Sequence, residues 1–152
     1  TMQNISLRET IAFIKVAHDG QHYGDLPYFT HPIEVAMYCD TYIQKMAGLL
    51  HDVIEDTAVT ETELREIFGD IIVDIVVLLT KDASIGYREN IQRIIDSGNR
   101  DAMAVKLADN TVNHSGDKSH MKPDRAKKLM ARYEMSIEML SLAISQLQLE
   151  TK

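Results

Sequence analysis

His51 and Asp52 stand side by side in a run that is otherwise apolar, with Met46-Ala47-Gly48-Leu49-Leu50 before them and Val53-Ile54 after. A second polar pair, Glu55-Asp56, follows at once. Placing a charge inside an apolar run is costly unless the charge is paired or holds a metal. Residues four apart share a helix face, so a continuous helix stacks His51 with Glu55 and Asp52 with Asp56. Successive residues turn by about 100°, so both stacks can line one cleft wall. Two more ligand types sit at the ends of apolar segments: His31 before Pro32, and Asp109 closing Ala104-Val105-Lys106-Leu107-Ala108. His31, His51, Asp52 and Asp109 together make a mixed imidazole and carboxylate shell. Such a shell suits Mn²⁺, Fe²⁺, Co²⁺ or Zn²⁺ with positions left open, whereas a structural zinc site would want thiolates. A cation there can polarise a phosphoryl oxygen and acidify a water, and Glu55 or Asp56 can take the proton as general base. Taken singly, His51-Asp52 reads more readily as a satisfied buried histidine than as a metal site, and Glu55-Asp56 as a solvated helix end before Thr57-Ala58. The full ordered set is what favours the metal.

Helices must position these residues, because the pattern is helical almost throughout. Ile5, Leu7, Ile11, Ile14 and Val16 predict an amphipathic first helix ending near Asp19-Gly20, with Gly20 at its C-terminus. Residues 21–30 are expected to be a loop. A second helix starts at His31-Pro32, proline suiting a first turn, and turns Ile33, Ala36, Met37 and Tyr38 inward. A third is expected to run unbroken from Gln44 to Asp56. Thr60 and Glu63 form a capping-box pattern that opens a fourth helix. Asp70 is placed as the cap of Ile71–Thr80, which is long for a strand and is read as helix. Tyr87–Ser97 and Asp101–Val112 follow, then a polar loop over 114–123. A final helix runs from Asp124 to Leu149 with Leu129, Met130, Tyr133, Ile137, Leu140, Ile144 and Leu147 along one stripe. That stripe is read as core, with a dimer face, and so a homo-oligomer, left open. The fold class is all-α: one compact bundle of seven or eight helices spanning residues 1–152.

The net charge of −7 argues against a nucleic acid polymer or an anionic membrane as partner. A small anion needs a metal or a local basic patch. The loop residues His114, Lys118, His120 and Lys122 are read as solvated, with contact to a phosphate tail left open. The single cysteine, Cys39, excludes a disulfide framework, is read as a small core residue, and favours a cytoplasmic location. No run is long and apolar enough to span a membrane, and no signal peptide is visible.

The segments Tyr28-Phe29-Thr30-His31-Pro32-Ile33-Glu34-Val35-Ala36, Ala47-Gly48-Leu49-Leu50-His51-Asp52-Val53-Ile54-Glu55-Asp56-Thr57 and Lys106-Leu107-Ala108-Asp109 resemble the HD-domain hydrolases. More narrowly, the chain is similar to the hydrolase domain of RelA/SpoT homologues, the (p)ppGpp pyrophosphohydrolases, in their small hydrolase-only form. Ala17-His18-Asp19-Gly20-Gln21, Leu79-Thr80-Lys81 and Glu89-Asn90 extend the resemblance. It implies an HD-type fold and a metal, usually Mn²⁺, on His31, His51, Asp52 and Asp109. It implies that Glu55 and Asp56 position or activate the attacking water, and that Asn113 lines the nucleotide pocket. The implied reaction removes the 3′-pyrophosphate of (p)ppGpp, a small nucleotide substrate. His22 and Tyr23 stand where the family carries basic residues in its substrate loop, and Asn110 and Ser115 also replace commonly basic positions. His22 and Tyr23 are thus the candidate substrate contacts there, Tyr23 by stacking on a base. A different nucleotide, or a catalytically idle nucleotide-binding module, stays open.

Overall fold

The computed structural model describes residues 4–150. Nine helices and one two-stranded hairpin lie among them: α1 (Leu7–Ala17), β1 (His22–Tyr23), β2 (Leu26–Pro27), α2 (Thr30–Met37), α3 (Tyr42–Leu50), α4 (Val53–Asp56), α5 (Glu61–Phe68), α6 (Asp70–Leu79), α7 (Tyr87–Asp96), α8 (Arg100–Ser115) and α9 (Pro123–Glu150). The class is all-α, as expected.

Local chemistry sets most of the helix starts. Ser6 accepts from the Glu9 N–H at 3.0 Å while the Glu9 carboxylate accepts from the Ser6 N–H at 3.2 Å, closing a capping box on α1. Thr60 and Glu63 close the box expected on α5. Thr41 and Asn99 cap α3 and α8 through the N–H groups of Gln44 and Ala102. α6 starts differently from the expectation. Its N-cap is Gly69, whose φ of 83° suits a residue without a β-carbon. Asp70 makes no cap, because its carboxylate accepts from Arg65 at 2.9 Å. Arg65 also reaches Glu61 and Asp74, which explains the acid in the middle of this aliphatic helix.

α3 and α8 form the middle of the bundle. α3 packs on α1, α2, α6 and α8; α8 packs on α2, α6, α7 and the long α9. Ile14, Met46, Leu49, Leu50, Ile75, Met103 and Leu140 are fully buried between them. Gly48 lies where α2 and α3 come close: a β-carbon there would stand 3.4 Å from Val35 Cγ1 and 3.5 Å from the Ala36 backbone. That close approach brings His31, on α2, toward His51 at the end of α3.

Several assignments are corrected. Residues 22–27 form a hairpin in which His22 pairs with Pro27 and Tyr23 with Leu26. Gly24 turns it at a φ of 62°. On α1, Val16 is 79% exposed and Phe13 turns inward instead. On α2, Met37 and Tyr38 face solvent and Val35 is buried, because the helix is rotated to bury His31 and Pro32. On α9 the buried residues are Ser136, Leu140 and Ala143, with Met139, Ile144 and Leu147 packed against the core. His114 and Ser115 belong to α8, not to the following loop. Cys39 is buried, and burial pushes its thiol up to about 11, so it is an inert core residue. No helix among the described residues is long and apolar enough to cross a membrane.

Leu140→Ala is expected to cost about 2–5 kcal/mol, since it removes the fully buried anchor of α9 and leaves a cavity. Val16→Ala should stay within about 0.5 kcal/mol. Urea titration of both variants tests the placement: equal losses would contradict the inward Leu140 and outward Val16.

Candidate functional site

The helix expected over 44–56 is interrupted at the residues that matter. α3 stops at Leu50; His51 and Asp52 form a turn, with Asp52 at φ −103°, ψ 0°, and α4 restarts at Val53. The His51 side chain takes part in the break. Its Nδ1 lies 2.6 Å from the Gly48 carbonyl oxygen, three residues back, where it competes with the backbone for that acceptor. Asp56 N–H still donates to Asp52 C=O at 2.9 Å, so the acidic pair remains one turn beyond Asp52.

The turn points His51 Nε2 into a buried cluster. It lies 2.9 Å from Asp52 Oδ2 and 3.5 Å from Asp109 Oδ1. His31 Nε2 lies 3.0 Å from the same Asp109 oxygen. The four residues arrive from α2, the α3–α4 turn and α8, and only the fold unites them. The ligand atoms of His31, His51 and Asp52 lie within 4.8 Å of one another, a group that could hold a metal ion. A test of fit comes from His51 itself. A carbonyl oxygen only accepts, so Nδ1 carries a ring proton and Nε2 is the atom that His51 turns to the cluster. That nitrogen is buried and has no hydrogen-bond partner of acceptable geometry among the described residues. A buried ring nitrogen facing two carboxylates takes either a proton or a cation, and the donor set of two imidazoles and two carboxylates fits a cation.

Electrostatics around the cluster are strong. Burial opposes an imidazolium at His51, but the Asp52 and Asp109 carboxylates outweigh it and hold its pKa well above the ordinary value. Burial likewise opposes the Asp109 carboxylate, yet Lys106 and His51 keep it well below the usual range. Asp52 is lowered mainly by His51 against the same burial penalty. The second oxygen of Asp109 accepts from Lys106 Nζ at 3.1 Å. Its first also accepts from Asn113 Nδ2 at 3.2 Å. Tyr28 donates its hydroxyl to Asp52 Oδ2. These contacts leave both carboxylates little rotational freedom.

Glu55 and Asp56 stand at the mouth, exposed, with carboxylate oxygens within 4.8 Å of Asp52. Glu55 Oε1 accepts from the Lys81 N–H at 2.9 Å. Burial, then the negative charges of Asp52 and Glu55, raise Asp56 above the ordinary carboxylate pKa. Gln21, whose side-chain oxygen lies 2.8 Å from His18 Nδ1, donates to the Asp56 carbonyl at 2.8 Å and pins the end of α4.

A cavity of about 310 Å³ opens over the cluster. Among its lining residues are the acids Asp52, Glu55, Asp56 and Asp109 and the cations Lys81, Arg93, Lys106 and Arg132. Strand alternation separates the two hairpin residues. Tyr23 turns inward, stacks on His31 with ring centroids 4.6 Å apart, and donates to Asn113 Oδ1 at 2.9 Å. Burial, with the Asp109 charge, pushes its hydroxyl up to about 12, so it stays a donor. One ring face is therefore already taken by His31. His22 turns outward and does not line this cavity; it borders an adjoining one that shares Tyr23 and Asn113. Lys118 donates to the carbonyls of Asn113, His114 and Gly116 at 2.7–3.0 Å, so its charge is used in closing α8. His114 lies 3.2 Å from a Glu134 carboxylate oxygen. Sequence reasoning missed Tyr28, Arg93, Tyr87 and Arg132. Tyr28 three residues before His31 was the one readable signal.

No family model matches the chain. It is 37% identical over 128 residues to a guanosine-3′,5′-bis(diphosphate) 3′-pyrophosphohydrolase of Haemophilus influenzae, matching 74% of this chain and 19% of that protein. It is 33% identical over 138 residues to the bifunctional (p)ppGpp synthase/hydrolase SpoT of Escherichia coli, covering 81% and 19%. The chain thus spans about a fifth of the length of these two relatives. A guanosine-3′,5′-bis(diphosphate) 3′-pyrophosphohydrolase of Danio rerio is 34% identical over 119 residues, covering 70% and 66%. Among solved structures, one described as a metazoan ortholog of SpoT that hydrolyses ppGpp superimposes with a TM-score of 0.71, at 21% identity, over 98% of both chains. That likeness establishes the shared fold.

Proposed function

From the premise that the chain belongs to the small SpoT-like HD hydrolase domains, we propose that it hydrolyses the 3′-pyrophosphate of (p)ppGpp-type nucleotides, using a divalent metal, Mn²⁺ in our reading. The observation that carries this reading is the orphaned, buried Nε2 of His51 among Asp52, Asp109 and His31. Those four residues would hold the metal. When bound, it supplies Lewis-acid polarisation of a phosphoryl oxygen and of a water.

The remaining chemistry belongs to the chain. Asp56, with its raised pKa and a carboxylate at the cavity mouth, accepts the proton of the attacking water. Glu55, held by the Lys81 N–H, orients that water. Water oxygen adds to the phosphorus attached to the 3′ oxygen, the bond between them breaks, and the 3′ oxygen takes up a proton. The products are GDP or GTP and pyrophosphate. Lys81 lines the same cavity and offsets phosphate charge. The adjoining cavity, joined at Tyr23 and Asn113, offers the rings of His22 and Tyr133 to the nucleoside.

A second reading, a different nucleotide, is favoured by His22 facing away from the metal cluster and by the Lys118 charge being used within α8. Incubation with ppGpp, pppGpp, NADPH and ordinary nucleotides, with and without Mn²⁺, separates the readings. The expected result is metal-dependent release of pyrophosphate and GDP from ppGpp. Turnover confined to another nucleotide would replace the substrate. Tight binding without product under any divalent metal would make the chain an idle binding module.

A further inference from the structure

The start of α9, with the residue before it, is strongly basic in an acidic chain. Lys122, Arg125, Lys127, Lys128 and Arg132 are five of the chain's 16 Lys and Arg, and only Asp124 opposes them in that stretch. Arg125, Lys128 and Arg132 are spaced three and four apart, so they share one helix face. None of the three forms a salt bridge among the described residues, unlike Arg65 or Lys106.

This face is joined to the metal cavity. Lys122, Arg125, Lys128 and Arg132 line a shallow groove, and Arg132 also lines the cavity over the metal cluster. Arg132 is held in place. Its guanidinium sits 4.8 Å over the Tyr87 ring; the Tyr87 hydroxyl donates to Asn110 Oδ1 at 2.7 Å; and Asn110 donates to Ser136 Oγ at 2.5 Å. Asn110 and Ser136 are fully buried, so the ring beneath Arg132 is tied to the interior. A guanidinium fixed by its face presents its N–H edge for bidentate contact with phosphate oxygens.

We propose that Arg132, continued by Lys128 and Arg125, binds the second, uncleaved phosphate arm of the nucleotide, the 5′-phosphates, while the 3′ arm lies at the metal cluster. This rests on the nucleotide reading above and names what that site selects for: a nucleotide phosphorylated at both ends. Calorimetry with GDP tests it without turnover, since GDP has the 5′ arm and lacks the 3′ one. GDP is expected to bind the wild type more tightly than guanosine does. Arg132→Gln is expected to weaken GDP about ten-fold or more, the size of one lost charge-assisted contact, and to leave guanosine binding and Tm in place. Lys128→Gln should weaken GDP less, and higher salt should narrow the difference. Equal GDP affinity in wild type and Arg132→Gln overturns the inference, as does inorganic pyrophosphate binding this face as tightly as GDP. If ppGpp is not hydrolysed but GDP still depends on Arg132, the hydrolase reading fails and the anion site stands.

Discussion

His51→Ala is expected to abolish stoichiometric metal binding and to lower kcat/KM for ppGpp by at least about 10²–10³-fold, the scale on which a single preorganised electrostatic partner contributes to a transition state. The size follows from how much converges on this ring. Its Nδ1 is committed to the Gly48 carbonyl, so Nε2 is the only nitrogen it can offer, and that atom faces Asp52 and Asp109 from 2.9 and 3.5 Å. Alanine removes the ligand and leaves two carboxylates facing each other without the group that balances them. The fold should survive, because α3 is held by Met46, Leu49 and Leu50 rather than by His51. Asp52→Asn is the companion. It keeps the shape and an acceptor for the Tyr28 hydroxyl but lacks the charge, so metal affinity should fall with little change in Tm. Metal analysis of purified variants, with Tm and product release, reads all three quantities. Full activity in His51→Ala, or in thoroughly chelated protein, would remove the metal from the mechanism.

Much of this was legible in the chain, and the parts that were not have identifiable causes. His31, His51, Asp52 and Asp109 could be picked out because each interrupts or ends an apolar run, and burial is what makes a titratable group conspicuous. The capping boxes at Ser6 and Thr60 are local, so α5 started where Thr60 and Glu63 said it would. The break at His51-Asp52 was hidden, because Leu49 to Ile54 carry no helix breaker. The break coincides with the His51 side chain lying 2.6 Å from the Gly48 carbonyl, a contact that no residue pattern announces. The inward and outward faces of α1 and α2 were misjudged for Val16, Met37 and Tyr38 because an apolar side chain does not state which way its helix is rotated. Here the rotation follows from burying Ile14 and His31. The cations of the cavity were missed for a related reason. Arg93 and Arg132 belong to α7 and α9, apart in sequence from every candidate metal ligand, and nothing in a one-dimensional pattern places them over the same cavity.

Asp56→Asn and Glu55→Gln should separate two carboxylates that the sequence presents as one pair. Asp56 is raised by burial and by the charges of Asp52 and Glu55, and among the described residues its carboxylate has no anchor comparable to the Lys81 N–H that holds Glu55. A carboxylate with a raised pKa is the stronger base, so Asp56→Asn is expected to cost about 10²–10⁴-fold in kcat, the usual range for a positioned general base. Glu55→Gln should cost less, since the amide oxygen can still accept from Lys81 and orient water while the charge is lost. The pH dependence distinguishes the roles. A base with a raised pKa works when deprotonated, so wild-type kcat/KM should fall as pH drops through that value, which lies above the ordinary carboxylate range. That acid limb should vanish in Asp56→Asn. In Glu55→Gln it should persist and shift to lower pH, because one of the negative charges that raise Asp56 has been removed. Metal content should remain near that of the wild type in both variants, since neither belongs to the buried set of His31, His51 and Asp109. A larger loss in Glu55→Gln than in Asp56→Asn, with the acid limb unchanged in the latter, would exchange the two assignments.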